Sequence, residues 1–340
     1  MLDKLQSEVE KAYREMILSS ERATINNLKN RLNPLDETPL DVWQAFNRYI
    51  AESRITNVVG TIKRHKSALN HLRNYTAKAR IALSFELIDS EFLIGFMHFL
   101  VSKGGITNNT VSKYIKTIKA FMNWSVKRGY TSNISHKNFQ PKSNDGEVYF
   151  LSVDELFKLY RMPLEHKFLE RVRDVFCFGC FTGLRYSDIK SLSPSNISNG
   201  FVRITSIKTQ EKNSIPLNEF ALDILKKYSG QSHFSLPVLS NQKMNEHLKT
   251  LGRLAGLNRK VSQIRFRGAQ RLENIFPLYE VLTTHVARKT FITNSIYLGM
   301  NSEAIMEITG QKTRQTFKRY FKIVDQFKEV EMRRTWNTLT

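Results

Sequence analysis

Apolar residues recur at helical spacing along almost the whole of this chain, and that periodicity limits its fold more than any other feature. Val42, Phe46 and Ile50 form one stripe, with Trp43 and Tyr49 beside it. Val59, Ile62, Leu69 and Leu72 mark a second helix, whose polar face carries Lys63, Arg64, Lys66 and Arg73. Phe92, Phe96, Phe99 and Leu100 mark a third, capped by Asp89 or Ser90 and stopped at Gly104-Gly105. A fourth starts near Asn108 and Asn109, with Val111, Tyr114, Ile118, Phe121 and Trp124 inward and Lys113, Lys116 and Lys119 outward. Helices joined by short loops over residues 39–130 predict a small bundle. Residues 1–38 read as a polar helical extension broken at Pro34, whose narrow stripe of Leu2, Leu5, Val9 and Tyr13 needs a partner surface.

Residues 131–149 are rich in Ser, Asn, Lys and Gly and read as an exposed linker. A second domain, 150–340, opens on a capping-box spacing, Ser152 with Glu155. It too is mostly helical, and residues 256–283 read as irregular and very basic from Arg259 to Arg271. The exception lies at 200–217, where Phe201–Ile204 and Ser214–Leu217 have the character of short strands joined by a polar turn holding Lys208. The expected fold is mainly α with a small antiparallel β-sheet, in two domains.

Charge narrows the partner. Lys and Arg number 52 against 31 acids, a formal net charge of +21, which points to a polyanion. A lysine-lined helix face is often merely solvated; two such faces in one small domain make a DNA-facing surface an equal reading. No run of about 18 apolar residues occurs and the N-terminus has no signal-peptide core, so no membrane role and a cytoplasmic location are expected. The two cysteines, Cys177 and Cys180, lie in an apolar helical run without a second ligand pair, which fits small core residues better than zinc or redox chemistry.

Three strings could share one phosphate. FTGLRYSDIKSL holds Arg185 after a glycine turn, THVARKTF puts His285 and Arg288 on one helix face, and ITGQKTRQTFKRYFKI contains Tyr320. A phosphodiester in reaction spreads charge over its non-bridging oxygens, and arginine forks suit those oxygens because they bind two at once and stay protonated. Taken singly, each residue has a plainer reading: a salt-bridging arginine, a surface His–Arg pair, a core tyrosine, a solvated turn lysine. Their order along the chain carries the case.

That order resembles the tyrosine recombinases, the phage-integrase family, with TGLRYSD, IKTQ, HVAR, TGQ and the tyrosine of FKRYFKI standing at the family's boxes. The resemblance covers roughly residues 40–335, and HVARKTF with the KT…IPL hairpin is most similar to integrases of Bacteroidetes mobile elements. It implies a SAM-like core-binding bundle and a catalytic domain forming a C-shaped clamp on double-stranded DNA. Tyr320 would be the nucleophile of a 3′-phosphotyrosyl intermediate, Arg185 and Arg288 the phosphate clamp, and Lys208 the general acid. His285 would aid proton transfer and Asp188 would buttress the site. No metal, ATP or other cofactor is implied. Lys63, Arg64, Lys113, Lys116, Lys119, Arg265 and Arg267 are the expected DNA contacts. A homotetramer on two duplexes, passing through a Holliday junction, and accessory DNA-bending proteins are the implied partners, in a bacterial cytoplasm. The tail, with Phe327, Val330, Met332 and Trp336, would pack on a neighbouring subunit.

Gln311 departs from the pattern, standing where the family has His or Trp. Its amide can donate a hydrogen bond but cannot carry charge, so reduced activity is expected. A non-catalytic DNA-binding protein of the same fold and a type IB topoisomerase-like nicking and closing enzyme remain the alternatives.

Overall fold

The computed structural model describes residues 2–19, 24–32, 40–102, 106–141, 144, 146–207, 210–230, 235–321 and 332. The Gly104-Gly105 stop, the Lys208 turn and all of the tail except Met332 lie outside them. The chain divides into two units, residues 1–145 with 265–272, and residues 146–264 with 273–340.

The first unit begins with α1 (Leu2–Leu18) and α2 (Ile25–Leu32), followed by α3 (Val42–Thr56), α4 (Val59–Ala79), α5 (Ser90–Ser102) and α6 (Asn108–Lys127). Asp41 and Gln44 close a capping box at the start of α3. At α5 the cap is Asp89, whose carboxylate accepts from the Phe92 amide at 2.8 Å. The apolar stripes of α3 to α6 meet in one core, where Phe46 stacks on Phe121 with centroids 4.3 Å apart. Two expectations are corrected here. Lys119 is not an outward lysine, because its ammonium donates to the carbonyls of Lys137 (3.2 Å) and Phe139 (2.6 Å). Nor is the segment after 131 exposed from its start. His136 is fully buried, its Nε2 bonded to Asn123 Oδ1 at 3.0 Å, and Phe139 packs on the bundle core.

The second unit contains α7 (Val153–Arg161), α8 (Lys167–Thr182), α9 (Tyr186–Lys190), β1 (Ile197–Ser198), β2 (Phe201–Thr205), β3 (Lys212–Pro216), α10 (Glu219–Tyr228) and α11 (Asn241–Leu254). It continues with β4 (Lys260–Arg267), β5 (Gln270–Pro277), α12 (Thr284–Tyr297), α13 (Ser302–Thr309) and α14 (Arg314–Phe321). Strands β1, β2 and β3 form an antiparallel sheet in that order, with Val202 opposite Ile215. Ser152 and Glu155 make the expected capping box at α7.

Helix α8 is buried without interruption from Val172 to Thr182, and α12 from Val286 to Ile296 except at Lys289. Helices apolar nearly all round belong at the centre of a unit. The two cross where residues are small: a Cβ on Gly179 would stand 3.1 Å from Ala287 Cβ. Cys177 and Cys180 lie inside this core, and burial pushes both thiols up from their ordinary range. The region 256–283, expected to be irregular, instead forms the β4–β5 hairpin. The tip, 265–272, groups with the first unit, where Asn108 clasps Gly268 through its amide (Nδ2 to carbonyl 2.9 Å, backbone N–H to Oδ1 2.8 Å).

Candidate active site

The α8–α12 crossing decides where the two arginines meet. Helix α8 ends at Gly183, whose φ of +70° turns the chain sharply. Two residues later Arg185 caps α9, and directly after Ala287, Gly179's contact on α12, stands Arg288. The Arg288 guanidinium is buried. It donates from Nη1 to the Gly183 carbonyl at 2.8 Å and from Nη2 to the Thr309 carbonyl at the end of α13. It is thus anchored to the turn that launches Arg185. Burial, and then the charge of Arg185, pull Arg288 down to about 10, while Tyr320 and Asp188 oppose that fall. One guanidinium therefore feels all three of the other groups.

Arg185 is held from below. Its Nη1 donates to Ser206 Oγ at 3.2 Å and lies 3.9 Å from Asp188 Oδ2. Ser206 is fully buried and donates in turn to Asp188 Oδ2 at 3.3 Å, while the Ile207 amide donates to Asp188 Oδ1 at 3.2 Å. The Asp188 carboxylate so binds Arg185 and the end of β2 together, one residue before Lys208, which lies outside the described residues. Ser206 escaped sequence reasoning, since a serine at a strand end carries no signal of its own.

Helix α13 closes on a Schellman turn: the Gly310 amide bonds Glu307 O (3.0 Å) and the Gln311 amide bonds Met306 O (2.8 Å). Asn213 of β3 lies against Gly310, which brings the sheet beside this cap. The side-chain Oε1 of Gln311 is buried and has no hydrogen-bond partner among the described residues. His285 is exposed in the first turn of α12.

Tyr320, on α14, is only 2% exposed and clusters with Phe291, Ile292 and Ile296 of α12, Ile305 and Phe317. Its hydroxyl accepts from Arg319 Nη2 at 3.4 Å.

The structure therefore gathers Arg185, Asp188 and Arg288 about the Gly183 turn, with Tyr320 in electrostatic range of Arg288. Of the expected DNA contacts, Lys63 and Arg64 are exposed on α4, Lys113 and Lys116 on α6 and Arg265 on β4, and Arg267 is half-buried. Among the described residues no group of three His, Cys, Asp or Glu side chains could hold a metal ion.

A helical bundle is followed by a helical unit with a small antiparallel sheet, in which two arginines meet at one turn and form a site suited to an anion. The phage integrase SAM-like domain matches residues 41–141, the phage integrase family model matches 149–326, and the chain belongs to the phage integrase family. A tyrosine recombinase of Thermosipho africanus is 25% identical over 84% of this chain and 96% of its own. Tyrosine recombinase XerD of Oceanobacillus iheyensis is 23% identical over 76% and 86%. Among solved structures, a lambda integrase dimer bound to a COC′ core site superposes with TM-score 0.59 at 15% identity, covering 81% of this chain and 96% of that one. The Tn1549 transposon integrase in complex with transposon right end DNA gives 0.63 at 14% identity, covering 87% and 99%.

Proposed function

We propose that this chain is a site-specific DNA recombinase that cuts and rejoins strands through Tyr320. The phenol oxygen bonds to phosphorus, the P–O5′ bond breaks, and the 5′-oxygen leaves with a proton from Lys208, assisted by His285. Arg185 and Arg288 hold the non-bridging oxygens, where charge grows in the transition state, and Gln311 donates a neutral hydrogen bond. The phosphotyrosyl bond conserves the energy of the phosphodiester, so rejoining needs no ATP. The observation that carries this reading is the Arg288 guanidinium, anchored to the Gly183 turn beside Arg185 and in electrostatic reach of Tyr320.

The exposed cations Lys63, Arg64, Lys113, Lys116 and Arg265, with the half-buried Arg267, supply phosphate contacts on the duplex; Lys119 leaves this set. Residues 1–38, 39–130, 131–149 and 150–340 are the functional divisions. A lambda integrase tetramer is known bound to a Holliday junction. By that likeness this chain works as a tetramer on two duplexes; a bacterial cytoplasm and DNA-bending accessory proteins belong to the same proposal on the family resemblance alone.

The test is a pool of nicked duplexes with a randomised centre, incubated with the protein and run on a denaturing gel. A covalent adduct that is lost in Tyr320→Phe is expected, and its sequence supplies the site. A protein that binds the pool and never forms an adduct fits a second reading, a DNA-binding protein without catalysis, which the uncharged side chain of Gln311 favours.

A further inference from the structure

Two cations of the second unit flank residues of the assigned site in sequence, Arg319 beside Tyr320 and Lys289 beside Arg288. Arg319 directly precedes Tyr320. Its guanidinium carbon lies 5.2 Å from the centre of the Tyr320 ring, and its Nη2 donates to the phenolic oxygen at 3.4 Å. Its Nε is buried without a hydrogen-bond partner among the described residues. Lys289 directly follows Arg288 on α12. Its Nζ donates to the Glu147 carbonyl at 3.3 Å and lies 5.6 Å from the Tyr149 ring. Burial, followed by the charge of Arg319, draws Lys289 down to about 8. No carboxylate pairs with either side chain among the described residues. Cations gathered without an acid favour the appearance of negative charge between them. The group in contact with Arg319 that can become an anion is the phenol of Tyr320.

We propose that Arg319 is a catalytic residue, its guanidinium stabilising the charge that develops on Tyr320 Oη as the phenol attacks phosphorus. The phenolic proton passes to solvent, the O–P bond forms, the P–O5′ bond breaks, and the departing oxygen takes its proton from a separate acid. Arg319 thus serves the nucleophile, whereas Arg185 and Arg288 serve the phosphate. The proposal rests on the assignment of Tyr320 as nucleophile.

The test uses the nicked duplex recovered from the randomised pool, in parallel with the same duplex carrying sulfur in place of the bridging 5′-oxygen. A thiolate leaves without a proton, so a defect in leaving-group protonation vanishes on the sulfur substrate and a defect in the nucleophile persists. Single-turnover adduct formation by Arg319→Ala should fall on the order of ten- to a hundredfold on both substrates, the worth of a hydrogen bond to a charged group. Arg319→Lys should recover part of the rate. If Arg319→Ala does not fold, as judged by its urea midpoint, Arg319→Gln carries the same comparison, keeping a donor without the charge. Wild-type rates on both substrates or a defect on the oxygen substrate alone would each overturn the proposal. An adduct that survives in Tyr320→Phe would instead sink the nucleophile assignment itself.

Discussion

Arg288 commits two of its N–H groups to backbone carbonyls, so turns rather than acids fix its position. The Gly183 turn is the more demanding of the two. A side chain there would have φ of +70°, and its Cβ would meet Phe291 Cδ1 at 2.6 Å, inside the cluster that also packs Tyr320. Gly183→Ala should therefore cost about 2–4 kcal/mol in urea unfolding, from the left-handed backbone and the overpacked ring together. Gly200 has a similar φ of +74° but nothing within 4 Å, so Gly200→Ala should cost only about 1 kcal/mol. Equal losses at the two sites would remove the packing half of the argument. Lys289 gives a pH-dependent prediction. Its folded-state pKa, about 8, lies below the ordinary 10.5, so between those values the unfolded chain holds a proton that the folded chain has released. Its contribution to stability therefore rises with pH across that window. Relative to wild type, Lys289→Met should be most stabilised near neutral pH, with the gap narrowing toward pH 10.5. Unfolding midpoints for both proteins at intervals of pH would reveal a flat gap if burial does not disfavour the ammonium. At this scale the sequence made Arg185, Asp188, Arg288 and Tyr320 legible because their order is distinctive. It hid Ser206 and the true task of Lys119, since both depend on which carbonyl or carboxylate the fold brings near.

Between elements, α8 and α10 are joined by a network of charges that hydrophobic patterning does not reveal. Asp174, almost fully buried on α8, accepts from Arg173 Nε at 2.8 Å, from Lys227 Nζ at 2.7 Å and from the Tyr228 hydroxyl at 2.8 Å. Burial and the Asp174 carboxylate push the Tyr228 phenol up, which keeps it a donor. Removing one partner of a buried network leaves the others uncompensated. Asp174→Ala should thus destabilise the second unit by roughly 3–5 kcal/mol. Lys227→Ala should cost about 1 kcal/mol or less, because that side chain is 39% exposed. Calorimetry on both variants checks the asymmetry, and equal losses would mean that Asp174 is not the hub. The elements themselves were largely readable: stripes of apolar residues gave the helices of the bundle and α12, and the Ser152–Glu155 spacing gave the start of α7. The β4–β5 hairpin was not readable. Its strands mix exposed and half-buried residues in no regular alternation, with none fully buried, so the period of two that would betray a strand has no apolar face to show it. The same reasoning explains the misread segment after 131. Its polar composition suggested solvent, yet the buried His136 is satisfied by Asn123 rather than by an apolar pattern.

Over the whole molecule the net charge of +21 sets the strength of DNA binding and its dependence on salt. Each lysine or arginine that neutralises a phosphate releases about one counterion, so the slope of log K against log salt counts the phosphate contacts, at about 0.9 each. Lys63, Arg64, Lys113 and Lys116 are exposed on α4 and α6, without carboxylate partners among the described residues. Replacing all four by Ala should therefore reduce the slope by up to about 4 while weakening binding to every sequence alike. Lys119 should behave differently although it lies on α6 with two of them. Its ammonium is bonded to the carbonyls of Lys137 and Phe139, and burial lowers its affinity for a proton. Lys119→Ala should leave the salt slope unchanged and lower the unfolding midpoint of the first unit, because two carbonyls lose their donor. Titrating each variant with a fluorescent duplex from about 50 to about 200 mM salt separates these outcomes. A slope that drops by about 1 in Lys119→Ala would return that lysine to the DNA surface, and an unchanged slope in the fourfold variant would move the duplex away from α4 and α6.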